Sequence, residues 1–198
     1  MVTQLYKEDI PSQRIELLNN LPGLTLVKLV RYSWWNGEET ISELGINSNE
    51  VFSFCGGPIL CYFNTGLVIG ASSDSSRSSI LLWVEKNEQG ALSEDSFEED
   101  AEYVPINSED NLYSDEKWKQ VVGNKIKEIK ILKREPKTIK YANLDNEVGL
   151  LITMENDIKF ILSHGLHDDS GDFSVIFENQ IKPGIKEYLQ TLDVTSVK

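Results

Sequence analysis

The stretch LTLVKLVR at residues 24–31 returns as IKEIKILK at residues 126–133. Lys28 aligns with Lys130 at an offset of 102 residues. Both alternating sets of the first stretch are largely apolar, which is typical of a strand that is covered on two faces. A repeat at fixed spacing predicts an architecture before any single motif does. The chain is therefore expected to contain two related units.

Each unit begins with a short predicted helix. Ser12 and Ser114 carry the hydroxyl that caps helix N-termini, and they keep the same offset of 102 residues. Residues 33–50 are polar and contain turn-forming Asn and Gly, which predicts a loop. A further helix is predicted over residues 185–192, after a Pro-Gly pair.

A hairpin and a closing strand complete each unit. Apolar runs around an Asn- and Gly-containing turn at residues 59–71 predict the first hairpin, and residues 149–163 predict the second. The hairpin turns lie 92 residues apart, and the closing strands at 80–85 and 173–178 lie 93 apart. We therefore expect an α+β fold whose antiparallel-rich sheets are built from two pseudo-repeated helix-strand-hairpin-strand units.

Three segments follow from this pattern. Residues 1–85 form the first lobe, residues 86–112 an acidic linker, and residues 113–198 the second lobe. The linker has few large apolar residues, so it is not expected to order fully. A hairpin alone is marginally stable, so the two lobes are expected to share one core and to form one compact domain.

Composition predicts a cytoplasmic protein that is not embedded in a membrane. The chain has 198 residues, no apolar run of about 20 residues, and no signal peptide at its N-terminus. Cys55 and Cys61 are expected to be buried thiols, and without neighbouring histidines they make no zinc site. No cofactor or metal is predicted.

Charge is distributed unevenly. Of the net charge of −13, residues 85–110 carry ten acidic side chains and one basic one, whereas residues 117–140 carry nine basic and two acidic ones. A negative net charge disfavours binding to nucleic acid, because the phosphates would repel the protein. It favours a basic protein partner instead. The basic segment is expected to pair with the acidic linker inside the chain.

A partner-binding surface is predicted on the linker and the end of the first strand. Adjacent tryptophans in an extended segment cannot both be buried, and exposed Trp is typical of interface anchors. Its predicted residues are Glu94, Asp95, Glu98, Glu99, Asp100 and Glu102 with Trp34 and Trp35.

The segment SHGLHDDSGD at 163–172 holds both histidines of the chain. One interpretation is a polar turn without chemistry. The alternative is a metal-assisted or acid–base enzyme, because His and Asp can act together as a general base or as metal ligands. Its candidate catalytic residues are His164, His167, Asp168 and Asp172. A third interpretation is a small-ligand module with its pocket between the repeats.

The two hairpin units, at residues 57–85 and 149–178, resemble small bacterial proteins of the toxin-immunity type. The resemblance rests on Gly-Pro-Ile-Leu at 57–60, the Asn-containing hairpin turn and Ser-His-x-Leu-His at 163–167. It implies an acidic, cytosolic, non-catalytic α+β protein. Its acidic residues at 94–102 would then dock onto a cationic toxin and cover a site that expects phosphate.

Overall fold

Two five-stranded antiparallel sheets form the frame of the protein. The computed structural model describes residues 7–94, 96–97, 100–136 and 138–194. The first sheet has the order β4-β3-β2-β1-β5, and the second has the order β9-β8-β7-β6-β10. The strands are β1 Leu26–Ser33, β2 Ile59–Phe63, β3 Val68–Asp74, β4 Ser79–Lys86, β5 Val104–Asn107, β6 Ile126–Arg134, β7 Gly149–Met154, β8 Lys159–His164, β9 Phe173–Phe177 and β10 Leu189–Asp193. The predicted α+β class with antiparallel sheets is confirmed.

The helices are short and lie between the strands. The described α-helices are α1 Ile15–Asn19, α2 Gly37–Leu44, α3 Val51–Phe54 and α4 Pro183–Lys186, and single 3₁₀ turns occupy Pro11–Gln13, Ser48–Glu50, Glu116–Gln120, Ile139–Tyr141 and Glu178–Gln180. None of the helices among the described residues is long and apolar enough to cross a bilayer.

Several local predictions were wrong. Ser12 does not cap α1, because it lies in the preceding 3₁₀ turn, and Asp115 rather than Ser114 caps the turn at Glu116–Gln120. Ser114 instead donates its hydroxyl to the Ser108 carbonyl at 2.7 Å. Residues 33–50 contain α2 rather than only loop, and residues 185–192 contain the end of α4 and most of β10.

The two sheets meet at a short antiparallel contact. Thr25 bridges Lys125, and the hydrogen bonds around this bridge are reciprocal. Gly23 N–H donates to the Ile126 carbonyl, and Gly123 N–H donates to the Leu26 carbonyl, each at 2.8 Å. These contacts match at an offset of 100 residues. Equivalent positions in this contact are therefore 100 residues apart in the chain, whereas the sequence pattern predicted an offset of 102.

The first strand of each sheet contains an irregularity at its start. The register of β1 shifts between Leu26 and Lys28, and that of β6 shifts between Ile126 and Glu128. Strict alternation would place Lys127 beside Ile129, but Lys127 is exposed whereas Ile129 is buried. A β-bulge of this kind adds one residue and restores the side-chain pattern beyond it.

One apolar core joins the two sheets. Trp118 is fully buried, and its ring centroid lies 5.1 Å from that of Phe52, 5.7 Å from that of Phe160 and 4.3 Å from that of Phe177. The same cluster contains residues of β1 to β4 and β6 to β9. Arg31 is fully buried beside this core and donates to the carbonyls of Ser53 and Phe173.

The acidic segment is part of the first sheet. Its strand β5 pairs with β1, with Ile106 opposite Arg31 and Pro105 opposite Tyr32. Ile106 is buried, so this segment buries more apolar surface than its composition predicts. As the outermost strand, β5 contains a proline, which has no backbone N–H to offer.

Candidate functional site

A buried carboxylate fixes the acidic segment to the first sheet. Glu85 lies at the end of β4 and is fully buried. It accepts hydrogen bonds from Trp83 Nε1 at 2.7 Å, Ser96 Oγ at 2.6 Å and the Phe97 backbone N–H at 2.8 Å. A buried carboxylate needs such donors because its desolvation is costly. The bonds hold the segment after β4 against the outer face of the first sheet.

Aromatic rings continue this attachment as far as Trp34. Phe97 lies 5.6 Å from the Trp83 ring and 5.3 Å from the Tyr103 ring. Tyr103 in turn lies 4.3 Å from the Trp34 ring. The chain of rings therefore connects Trp83, buried on the outer face of the first sheet, with Trp34 at the surface.

Carboxylates surround the end of this aromatic chain. Burial raises the pKa of the Tyr103 phenol, and the negative charges of Asp100 and Glu102 raise it further. Both carboxylates are exposed. Trp34, at 57% exposure, and Trp35, at 40%, lie immediately after β1. We call this group the acidic aromatic surface: Trp34, Trp35, Asp100, Glu102, Tyr103 and Val104.

The surrounding sequence carries almost only negative charge. Residues 32–116 contain seventeen acidic and two basic side chains, a formal charge of −15, so the remainder of the chain is slightly positive. Glu38 and Glu39, in the first turn of α2, are exposed a few residues after Trp35. The acidic aromatic surface therefore lies in a strongly acidic part of the sequence.

The predicted partner-binding residues fall into two groups. Glu94, Asp100, Glu102, Trp34 and Trp35 are exposed. Asp95, Glu98 and Glu99 lie outside the described residues. Glu85 and Phe97, which position the surface, were not predicted from the sequence. A Glu directly after the apolar run ILLWV was the available signal, since a charge there either ends a strand or is buried with partners.

The two histidines have different surroundings. His164 ends β8 and is 7% exposed. His167 is exposed and its ring lies 4.4 Å from that of Phe54. Asp168 and Asp172 are exposed in the loop between β8 and β9. The described part of the chain contains no group of three or more His, Cys, Asp or Glu side chains placed to hold a metal ion.

The loop between β8 and β9 is held by its own backbone. Gly165 adopts φ of 66°, and a Cβ there would meet the Ser170 carbonyl oxygen at 2.0 Å, so glycine is required. Ser163 is buried, and its hydroxyl accepts the Leu166 N–H at 3.2 Å. These are the contacts of a closed polar turn.

A cavity of about 360 Å³ lies where the turns of the two sheets meet. Ser75 and Ser78 line it from the first sheet, and Arg134, His164 and Asp169 from the second. Ser75 Oγ donates to the Gly171 carbonyl at 3.2 Å across this junction. Burial lowers the pKa of His164, and the nearby Asp172 carboxylate opposes this effect without reversing it.

Among the residues that the structure describes, no ion pair joins the basic strand to the acidic segment, contrary to the prediction. Among the described ion pairs, Lys127 binds Asp157 at 2.7 Å and Arg134 binds Asp169 at 2.5 Å. Lys130 contacts Glu128 and Asp193. The partners of β6 are therefore residues of the second sheet and its loops, because the segment after β4 lies against the first sheet.

Both cysteines are free and buried. Burial raises the pKa of the Cys61 thiol to about 12, so this thiol stays protonated at neutral pH and is a poor nucleophile.

No protein-family model, no curated protein and no solved structure matches this chain.

Proposed function

We propose that this protein is a non-catalytic binding protein that docks its acidic aromatic surface onto a basic protein partner in the cytoplasm. The observation that carries the proposal is the contact of the exposed Trp34 with Tyr103 beside Asp100 and Glu102. An inhibitor of the immunity type that covers a cationic toxin is the form of this function that the sequence resemblance suggests.

Tryptophan and carboxylates serve different parts of such an association. A large exposed aromatic ring supplies most of the binding free energy at the centre of an interface. Surrounding charges of one sign accelerate encounter with a partner of the opposite sign and reject partners of like charge. The acidic aromatic surface has both components on adjacent residues.

The attachment of the surface to the sheet supports this function. Glu85 holds Phe97, and Phe97 contacts Tyr103, so these described residues are positioned on the sheet before a partner binds. A pre-organised surface loses less conformational entropy on association than a free loop.

We also propose that the scaffold consists of two duplicated units. The common strand order, the bulges at the start of β1 and β6, and the reciprocal bonds at Thr25 and Lys125 support this origin. The acidic segment has no counterpart of similar charge in the second unit, so the proposed binding function belongs to one unit only.

The alternative enzyme centred on His164, His167, Asp168 and Asp172 receives less support from the described contacts. His164 lines the cavity between the sheets, whereas His167 contacts Phe54 and is not part of the cavity lining. A general acid or base must lie within hydrogen-bond reach of the proton it transfers, and His167 does not line the cavity that a substrate beside His164 would occupy. We therefore do not propose catalysis by these residues.

The proposal is tested with the full chain as bait in its native host extract, followed by calorimetry with the purified basic protein that it captures. We expect Trp34→Ala to weaken binding by about 2 kcal/mol or more. Reversing Asp100 and Glu102 to Lys should slow association and reduce its dependence on salt.

Glu88→Lys is the matched control, because Glu88 is also exposed in the acidic stretch but lies outside the acidic aromatic surface. It should change association much less. The proposal is wrong if no basic protein is captured, or if the captured protein binds the Trp34 and Asp100/Glu102 variants as tightly as the native protein.

A further inference from the structure

The cavity between the two sheets has an unusually polar lining for its size. At about 360 Å³ it lies near the lower end of ligand pockets, which span roughly 300–1,000 Å³ and are mostly apolar. Hydroxyl, amide, imidazole, guanidinium and carboxylate groups line this one together, among them Ser78, Tyr141, Asn146, His164, Arg134 and Asp169. A ligand that fills it must offer hydrogen bonds in many directions.

His164 is the most buried ionisable group of this lining. It is 7% exposed, and its Nδ1 has no hydrogen-bond partner among the described residues. Because burial lowers its pKa, the imidazole is neutral at pH 7 and offers one donor and one acceptor. Burying an imidazole nitrogen without a hydrogen-bond partner costs free energy, and such a group in a native structure points to a function.

Charge in the lining favours a neutral ligand. Arg134 already donates to Asp169 at 2.5 Å, and Glu135 accepts from Gln190 at 2.8 Å. The described lining therefore holds one cation and two carboxylates. The described cation of the lining is thus already paired with a carboxylate, whereas hydroxyl groups of a ligand can donate to carboxylates and accept from the guanidinium.

Backbone strain is concentrated around the same cavity. Four described residues other than glycine have positive φ, and three of them line it: Ser78, Asn146 and Asp169. Asn146 is held there by donating its amide to the Tyr141 and Leu144 carbonyls. Residues held in sparsely populated conformations cluster at ligand sites, since the surrounding structure then fixes the direction of their side chains.

We propose that this cavity binds a neutral polyhydroxylated molecule the size of one sugar ring. Arg134 and Asp169 contact neighbouring hydroxyls, His164 reaches one further hydroxyl, and the Tyr141 ring at the rim covers the C–H face of the ligand. The site shares no residue with the acidic aromatic surface, so it is independent of the proposed protein-binding function.

The test titrates the native protein with glucose, galactose and mannose, followed by NMR of the two histidine side chains and by calorimetry. We expect at least one hexose to bind in a saturable manner and to shift the His164 signals while those of His167 stay unchanged. Glucuronate and inorganic phosphate, the anionic probes, should bind more weakly. Arg134→Gln should weaken hexose binding by about 10- to 100-fold.

Thr138→Trp is a second variant that places a bulky ring in the mouth of the cavity at an exposed position, and it should abolish hexose binding. Thr191→Trp is its control, since Thr191 is exposed on β10 outside the lining. The proposal is overturned if none of the three hexoses binds the folded protein, if an anionic probe binds more tightly, or if Thr138→Trp binds like the native protein.

Discussion

At the scale of single residues, Glu85 makes the buried hydrogen bonds that attach the acidic segment to the first sheet. Its carboxylate accepts from an indole, a hydroxyl and a backbone N–H, and all of these donors are neutral. Removing a fully buried carboxylate of this kind costs more than breaking a typical exposed ion pair, because several buried donors lose their acceptor at once.

Replacing Glu85 by Ala should therefore destabilise the protein. We expect the free energy of unfolding to fall by about 2–4 kcal/mol, because the Trp83, Ser96 and Phe97 donors lose their acceptor. Urea denaturation measures this change. Glu88→Ala, at an exposed position, should change the free energy by no more than about 0.5 kcal/mol. Equal losses for the two variants would contradict the role of Glu85.

His164 should make stability depend on pH. Because burial lowers its pKa in the folded state, the unfolded chain, with a pKa of about 6.5, binds the proton first as the pH falls. The contribution of His164 is complete above that value and is lost as the pH falls towards the lower folded-state pKa.

His164→Gln should therefore show a smaller loss of stability than the native protein between about pH 6.5 and pH 5. Denaturation curves across this range measure the difference. His167→Gln is the control, because the His167 ring is exposed. A native-like pH profile for His164→Gln would show that burial of this imidazole does not set the dependence.

At the scale of elements, a local hydrogen-bond pattern fixes the start of α2. Asn36 accepts the Glu39 N–H at 3.0 Å, and the Glu39 carboxylate accepts the Asn36 N–H at 3.3 Å. This reciprocal capping box begins a helix directly after Trp34 and Trp35. The direction of the chain after the acidic aromatic surface is thus fixed by two side chains.

Removing the Asn36 side chain, which caps α2, should destabilise this helix. Asn36→Ala is expected to lower the free energy of unfolding by about 1 kcal/mol and to increase amide exchange in α2. Hydrogen exchange followed by NMR measures both effects. Asn49→Ala, at an exposed position of the turn Ser48–Glu50, should leave exchange in α2 unchanged. Unaltered exchange for Asn36→Ala would mean that packing alone fixes the helix.

Local signals predicted some elements and not others. The hairpins were predictable, since Asn64 and Gly66 form a turn between two apolar runs. Strand β10 was not, because residues 185–192 suit a short helix and become a strand only through pairing with β6. The capping box at Asn36 was visible in the sequence, but the polar composition around it favoured a loop.

The candidate surface was predictable in composition but not in arrangement. Exposure of Trp34 and the charge of the acidic segment follow from the sequence. Their proximity depends on Glu85 and Phe97, which fold the segment back onto β4. Such contacts between residues distant in the sequence cannot be predicted from periodicity, and neither can the cavity beside the Ser75–Gly171 hydrogen bond.

At the scale of the whole molecule, the two sheets share their apolar interior. The cluster around Trp118 contains side chains of both halves, and Arg31 on β1 donates to the Phe173 carbonyl on β9. Neither sheet can open without exposing the interior of the other. Buried area on this scale normally couples such parts into one unfolding transition.

We therefore expect a single cooperative transition. Far-ultraviolet circular dichroism and tryptophan emission should give the same denaturation midpoint. Slow amide exchange of β2 in the first sheet and of β7 in the second should report the same free energy of opening. Two separate midpoints, or a much lower opening free energy for one of the central strands, would show that the halves unfold independently.

The proline in β5 has a consequence for behaviour at high concentration. Outer strands of open sheets are where copies of a chain join to grow into fibrils, because their main-chain donors and acceptors are unpaired. Pro105 removes one of those donors from the strand that borders Trp34, and the carboxylates nearby repel an approaching copy of like charge. Pro105 and the nearby carboxylates thus make the edge of the sheet beside Trp34 poorly suited to self-assembly.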